Sequence, residues 1–78
     1  MLKISDSKNN DIDAVAVSGK LNIDTCADFE SKILKKLKGQ NDFYIDFTDL
    51  SYISSVGIRS LVIINKKAKA DNTNVHII

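Results

Sequence analysis

The chain has 78 residues, 44% hydrophobic and 27% charged, with three glycines and no proline. That is the composition of one small globular domain; it excludes a two-domain enzyme, a disordered tail and a fibre. Eleven basic residues against ten acidic ones leave a formal charge of +1, so no global field draws the molecule to nucleic acid or to an anionic membrane, and partners must be recognised by local surface.

Leu2–Ser5 is a short strand candidate, followed by Asp6-Ser7-Lys8-Asn9-Asn10-Asp11, whose side chains favour turns through their own hydrogen bonds and which reads as a hairpin loop. Ile12–Val17 resumes as a strand, with Val15 and Val17 on one face and Ile12, Ala14 and Ala16 on the other, until Ser18-Gly19 breaks it. Thr25 reads as an N-cap, Asp28 three residues on as a weak capping-box partner, and Gly39 as the left-handed stop of a helix from Cys26 to Lys38. On that helix Cys26, Phe29, Ile33, Leu34 and Leu37 share one face, opposite Asp28, Ser31, Lys32, Lys35 and Lys36.

Phe43–Phe47 is aromatic and β-branched and reads as a central strand beside the earlier one. A second helix is expected from Ser55 or Val56 to Ala70, then a turn at Asp71–Asn74 and a last strand, Val75–Ile78. The order β-β-α-β-α-β predicts an α/β domain with a mixed four-stranded sheet: an antiparallel first hairpin, parallel neighbours thereafter and helices packed on it.

Catalytic templates fail. The chain contains no GxGxxG, no GxxxxGK[ST] and no GxSxG. Cys26 is the single cysteine and His76 the single histidine, which excludes a disulfide framework and a cysteine-based zinc site, so no metal, cofactor or catalytic residue is expected and the protein reads as a non-enzyme. Cys26 reads as a structural thiol and His76 as a strand residue facing solvent or partly packed. The lysines of the first helix spread along a solvated face without aromatics, which argues against nucleic-acid binding. The longest apolar run, Leu61–Ile64, is far short of the roughly 18 residues that span a bilayer, and no basic-then-apolar start resembles a secretion signal, so the cytoplasm is the expected compartment.

The informative stretch is Asp49–Ile58, leading from the third strand into the second helix, where open α/β sheets place functional groups. A hydroxyl at Ser55 would sit at a helix N-terminus, which favours a phosphate. Gly57 in the first turn sacrifices about 1 kcal/mol of helix propensity, as though something approaches the backbone closely. The plainer reading is an ordinary serine cap and a glycine packed near a strand.

Asp49-Leu50-Ser51-Tyr52-Ile53-Ser54-Ser55-Val56-Gly57-Ile58 resembles the signature of the STAS domain, found in bacterial anti-sigma factor antagonists and in the cytoplasmic tails of sulfate transporters. Upstream, Val15–Asn22 with Thr25 resembles the family's second strand and its Gly-Glu-Leu-Asp loop. The resemblance runs from Leu2 to Ile78 and implies a single domain over residues 1–78, lacking the C-terminal helix that usually follows and so truncated relative to the family. In the antagonists an Asp-Ser-x-Gly motif is phosphorylated on its serine by the anti-sigma kinase. Laid on this chain, Ser55 takes the phosphorylated position, Gly57 the glycine and Ser54 the place of the aspartate, while Asn22 replaces the upstream aspartate.

The resemblance implies an antagonist that binds an anti-sigma factor with serine kinase activity when unmodified and lets go when Ser55 is phosphorylated, a phosphatase reversing the step. The alternative is a scaffolding STAS module of a transporter tail or larger assembly. An uncovered last strand would leave apolar surface that favours a homodimer. On the second helix, Ile58, Leu61, Val62 and Ala68 are expected on the core side with Asn65 between them. Val56 and Ile63, ringed by Arg59, Ser60 and Lys67, are expected as a partner-binding face.

Overall fold

In the computed structural model, which describes residues 2–9 and 11–78, two antiparallel strands open the chain, β1 (Leu2–Asn9) and β2 (Ile12–Leu21). The loop expected over residues 6–11 is largely strand instead. Asp6, Ser7, Lys8 and Asn9 pair with Val15, Ala14, Asp13 and Ile12, because a continuous ladder outweighs the local side-chain bonds that give Asp, Ser and Asn their turn preference. Asp11, with φ 66°, marks the turn, and Asn10 lies outside the described residues.

The remaining elements are α1 (Cys26–Leu37), β3 (Asp42–Asp46), β4 (Leu50–Ile53), α2 (Ser55–Ala70) and β5 (Asn74–Ile77). The mixed α/β architecture is the expected one, with an antiparallel first hairpin and parallel neighbours, but the sheet has five strands rather than four. The extra strand, β4, falls inside Asp49–Ile58, the stretch read only as the connection from the third strand to the second helix.

The sheet runs β1-β2-β3-β5, and β4 lies beside β2. Two strands share one edge of β2 in succession: β3 pairs with Val15 and Ala16, and β4 pairs with Gly19, Lys20 and Leu21. At the changeover the register shifts between Gly19 and Lys20, and Gly19 takes φ 94°, a bulge conformation that glycine adopts without steric cost. Between the two partners, Phe47–Asp49 turn the chain; the Thr48 amide and hydroxyl both donate to Asp46 Oδ1, at 2.8 and 2.5 Å.

Those two hydrogen bonds hold the Asp46 carboxyl below its ordinary value of 3.8, the hydroxyl contributing most. A depressed folded pKa means that this stabilisation is present in full above pH ~4 and is lost as the pH falls through the depressed value. Thr48→Val should therefore move the Asp46 carboxyl back toward 3.8 in a ¹³C NMR titration. An unchanged titration would remove Thr48 as the cause.

Both helices cover one face of the sheet. α1 contributes Phe29, Ile33 and Leu37, four residues apart and buried, against Val15, Val17 and Leu21 of β2 and Phe43 and Ile45 of β3. α2 adds Ile64 and Ala68 to the same core. Cys26 is half-buried against this core, with its thiol 3.6 Å from the Ile23 carbonyl. On the opposite face the His76 ring stacks on Tyr44 at 4.5 Å and its Nε2 lies 3.0 Å from Asp42 Oδ1.

Two local expectations are corrected. Thr25 does precede α1, but its hydroxyl does not cap the helix. It donates to the Lys20 carbonyl at 2.9 Å and accepts from the Asn22 amide at 3.0 Å, so it ties down the preceding loop. The helix ends at Leu37, just before the left-handed Gly39 (φ 78°).

The second correction is the rotational phase of α2. Ile58 and Val62, expected inside, are 53% and 49% exposed, whereas Gly57, Ser60, Ile64 and Ala68 are buried. Ser60, expected on the surface rim, is bonded to Glu30 Oε2 of α1 at 3.4 Å. Val56 and Ile63 lie further round that flank and are half-buried rather than opposite the core. Apolar residues occupy every side of this helix, so hydropathy alone fixes no phase; the small residues Gly57 and Ser60 fix it by allowing close approach.

Candidate functional site

β2 and β4 are parallel, with Leu21 opposite Ile53, so their carboxyl ends deliver Asn22 and Ser54 side by side. The Ser54 amide donates to the Leu21 carbonyl at 2.9 Å, extending the pairing one residue past the strand. This is the end of an open α/β sheet at which ligands and partners are met.

Each of the four residues singled out there has a distinct task. Ser54 is the N-cap of α2: its backbone is extended, at φ −90° and ψ 171°, and its hydroxyl accepts from the Gly57 amide at 3.3 Å. Ser55 is the first helical residue and is exposed. Its hydroxyl stands at the positive end of a helix dipole whose first turn holds no acidic side chain.

Gly57 is buried, and a Cβ there would meet Leu21 Cγ at 2.9 Å, Ile53 Cγ1 at 3.0 Å and the Leu21 carbonyl oxygen at 3.1 Å. Close approach is thus required by the domain's own strands, and the packing reading of this glycine holds. Asn22 organises the loop after β2. Its Oδ1 accepts from the Asp24 amide at 3.0 Å and lies 3.3 Å from the Thr25 hydroxyl, and its carbonyl accepts from the Cys26 amide at 2.9 Å.

The structure therefore brings Asn22, Ser54, Ser55 and Gly57 together, and among the described residues the Ser55 hydroxyl has no hydrogen-bond partner. Arg59 and Lys67 are exposed on α2, whereas Ser60 is interior. Sequence reasoning missed Ile23, which is 73% exposed in the loop beside Asn22; an isoleucine between Asn22 and Asp24 in a polar loop was the available signal. Among the described residues no cluster of His, Cys, Asp and Glu could hold a metal ion, and no helix is long and apolar enough to cross a membrane.

The profile of the STAS domain matches residues 3–78. The chain belongs to the STAS domain family. No curated protein matches it significantly. Among solved structures, an anti-sigma factor antagonist from Mycobacterium paratuberculosis superposes with a TM-score of 0.81 at 19% identity, over 99% of this chain and 66% of that one. The protein Mglu superposes at 0.75 and 16% identity, over 94% of this chain and 18% of that one. A protein of the DUF3478 family from Shewanella loihica, described as having a SpoIIAA-like fold, superposes at 0.59 and 20% identity, over 99% of this chain and 66% of that one. At such identities the likeness is one of fold. This STAS domain spans about two thirds of the antagonist's length and less than a fifth of Mglu's.

Proposed function

We propose that this STAS domain is a non-enzymatic cytoplasmic regulator, an anti-sigma factor antagonist that docks on an anti-sigma factor with serine kinase activity and is released by phosphorylation of Ser55. The observation that carries the reading is the division of labour between two adjacent serines. Ser54 spends its hydroxyl on the helix cap, so Ser55 presents an uncommitted hydroxyl at an exposed helix start. Family membership and likeness of fold to an antagonist support it. A phosphate on Ser55 would be stabilised by the free amides of the first turn and would add about −1.5 to −2 charges to the docking surface, where repulsion and desolvation oppose binding. A phosphatase would restore the binding form.

The second reading is a scaffolding module in which Ser55 is never modified. What favours it is that Asn22 and Ser54, which stand in place of the family acids, are engaged in local hydrogen bonds and bring no charge to the phosphate acceptor. Incubation with the cognate kinase and ATP separates the two. Phosphate incorporation should be stoichiometric in the parent and in Ser51→Ala and should fall to background in Ser55→Ala. Undiminished incorporation in Ser55→Ala would overturn the assignment.

A further inference from the structure

We infer that Ile23 is the apolar anchor of the docking surface, and that its counterpart on the anti-sigma factor is an apolar socket, one side chain deep, beside the cleft that receives Ser55. The inference rests on the reading of this domain as a docking module, but not on the fate of the Ser55 hydroxyl. Ile23 is 73% exposed, whereas the other large apolar side chains at the surface reach at most 54%. Scattered exposed apolar residues need no explanation, but rigidity and position set this one apart.

The loop that carries Ile23 is tied on both sides of it. The Asn22 amide donates to Thr25 Oγ1 at 3.0 Å and the Asp24 amide to Asn22 Oδ1 at 3.0 Å. The Asn22 carbonyl accepts from the Thr25 and Cys26 amides at 3.2 and 2.9 Å, and the Thr25 hydroxyl donates to the Lys20 carbonyl at 2.9 Å. These bonds hold the backbone at Ile23 in one conformation with its side chain in water, so little backbone freedom remains to be lost on docking.

Position names the partner. Leu21 of β2 is paired with Ile53 of β4, neighbouring strands lie about 4.8 Å apart, and Ile23 and Ser55 each stand two residues beyond that pair. A protein that encloses the Ser55 hydroxyl at this end of the sheet covers Ile23 as well. Asn22, Asp24, Ser54 and Ser55 are polar, so the surface has one apolar centre and a polar rim, the anatomy of a small interface. A broad apolar patch on the partner would strip water from the Asp24 carboxylate without replacing it, and a single socket does not. Ile23 is remote from the bonds that change in phosphate transfer, so it sets how tightly the partner holds rather than how fast phosphate moves.

The test measures binding of the purified anti-sigma factor kinase by calorimetry without ATP, then KM and kcat for phosphorylation of Ser55. Ile23→Ala should weaken binding and raise KM by roughly tenfold to hundredfold, the effect of leaving one isoleucine side chain unburied, with kcat and the thermal unfolding midpoint unchanged. Ile23→Leu should recover most of the loss. Ile12→Ala, at the exposed start of β2 and the other end of the sheet, should bind as the parent does. Parent-like binding by Ile23→Ala, or a fall in kcat at constant KM, would overturn the inference. So would a lowered unfolding midpoint, which assigns the side chain to the domain's own packing. Binding that depends on Ile23 without phosphate on Ser55 would refute the switch and leave the anchor, whereas phosphate on Ser55 with binding indifferent to Ile23 would refute the anchor and leave the switch. A parent protein that does not bind the kinase would overturn both.

Discussion

Phe29→Ala should destabilise the domain by about 3–5 kcal/mol, the cost of deleting a fully enclosed aromatic side chain and leaving a cavity. Phe29 is completely buried at the centre of the one core, and its ring lies 6.3 Å from that of Phe47, tilted by 37°. The buried cluster it belongs to is built from α1, α2, β2 and β3 alike, so no single element can move inward to fill the space without losing contacts elsewhere. Stability of about 0.05–0.15 kcal/mol per residue is usual, so a domain of this size has little to spare. Denaturant unfolding should show a lower midpoint with an unchanged slope. A loss below about 1 kcal/mol would mean that the core collapses around the gap and is less rigidly packed than its burial indicates.

Gly57→Ala should destabilise by about 1–3 kcal/mol even though alanine is the better helix former by about 1 kcal/mol. One of the three close contacts of the added methyl is the Leu21 backbone oxygen, which cannot swing aside as a side chain can. Relief requires the start of α2 to lift from β2 and β4, and this displaces Ser55 from the loop that carries Asn22. The variant should accordingly lose stability and phosphate acceptance together. Gly39→Ala is the control: nothing lies within 4 Å of a Cβ there and only the left-handed φ of 78° resists, so it should lose stability and leave phosphate acceptance alone. A Gly57→Ala protein more stable than the parent would show that helix propensity outweighs the clash.

Much of this was legible in the sequence, for identifiable physical reasons. α1 announced its inner face because its apolar residues recur at 29, 33 and 37 with charges between them. The serine pair and Gly57 stood out because a glycine in a first turn needs a reason. β4 was not legible: it has four residues, of which only Leu50 and Ile53 are aliphatic, and its existence depends on a bulge in a distant strand. Nor was the phase of α2, where Val56, Ile58, Leu61, Val62, Ile63 and Ile64 leave every orientation partly apolar. The residues that decide it, Gly57 and Ser60, do so by what they lack, and what they lie against is visible only in three dimensions.

The tandem pairing along one edge of β2 divides the molecule into parts of unequal kinetic lability. Past the Gly19 bulge, β4 is held to the sheet by three registered residue pairs, while β1-β2-β3-β5 closes without it. β4 has a single partner strand, whereas Val15–Val17 lie between β1 and β3, so the amides of the segment leading to Ser54 are the less protected ones. Amide hydrogen exchange should resolve this as faster exchange at Tyr52–Ser54 than at Val15–Val17. The hydroxyl proposed for phosphorylation thus follows directly on a strand held from one side.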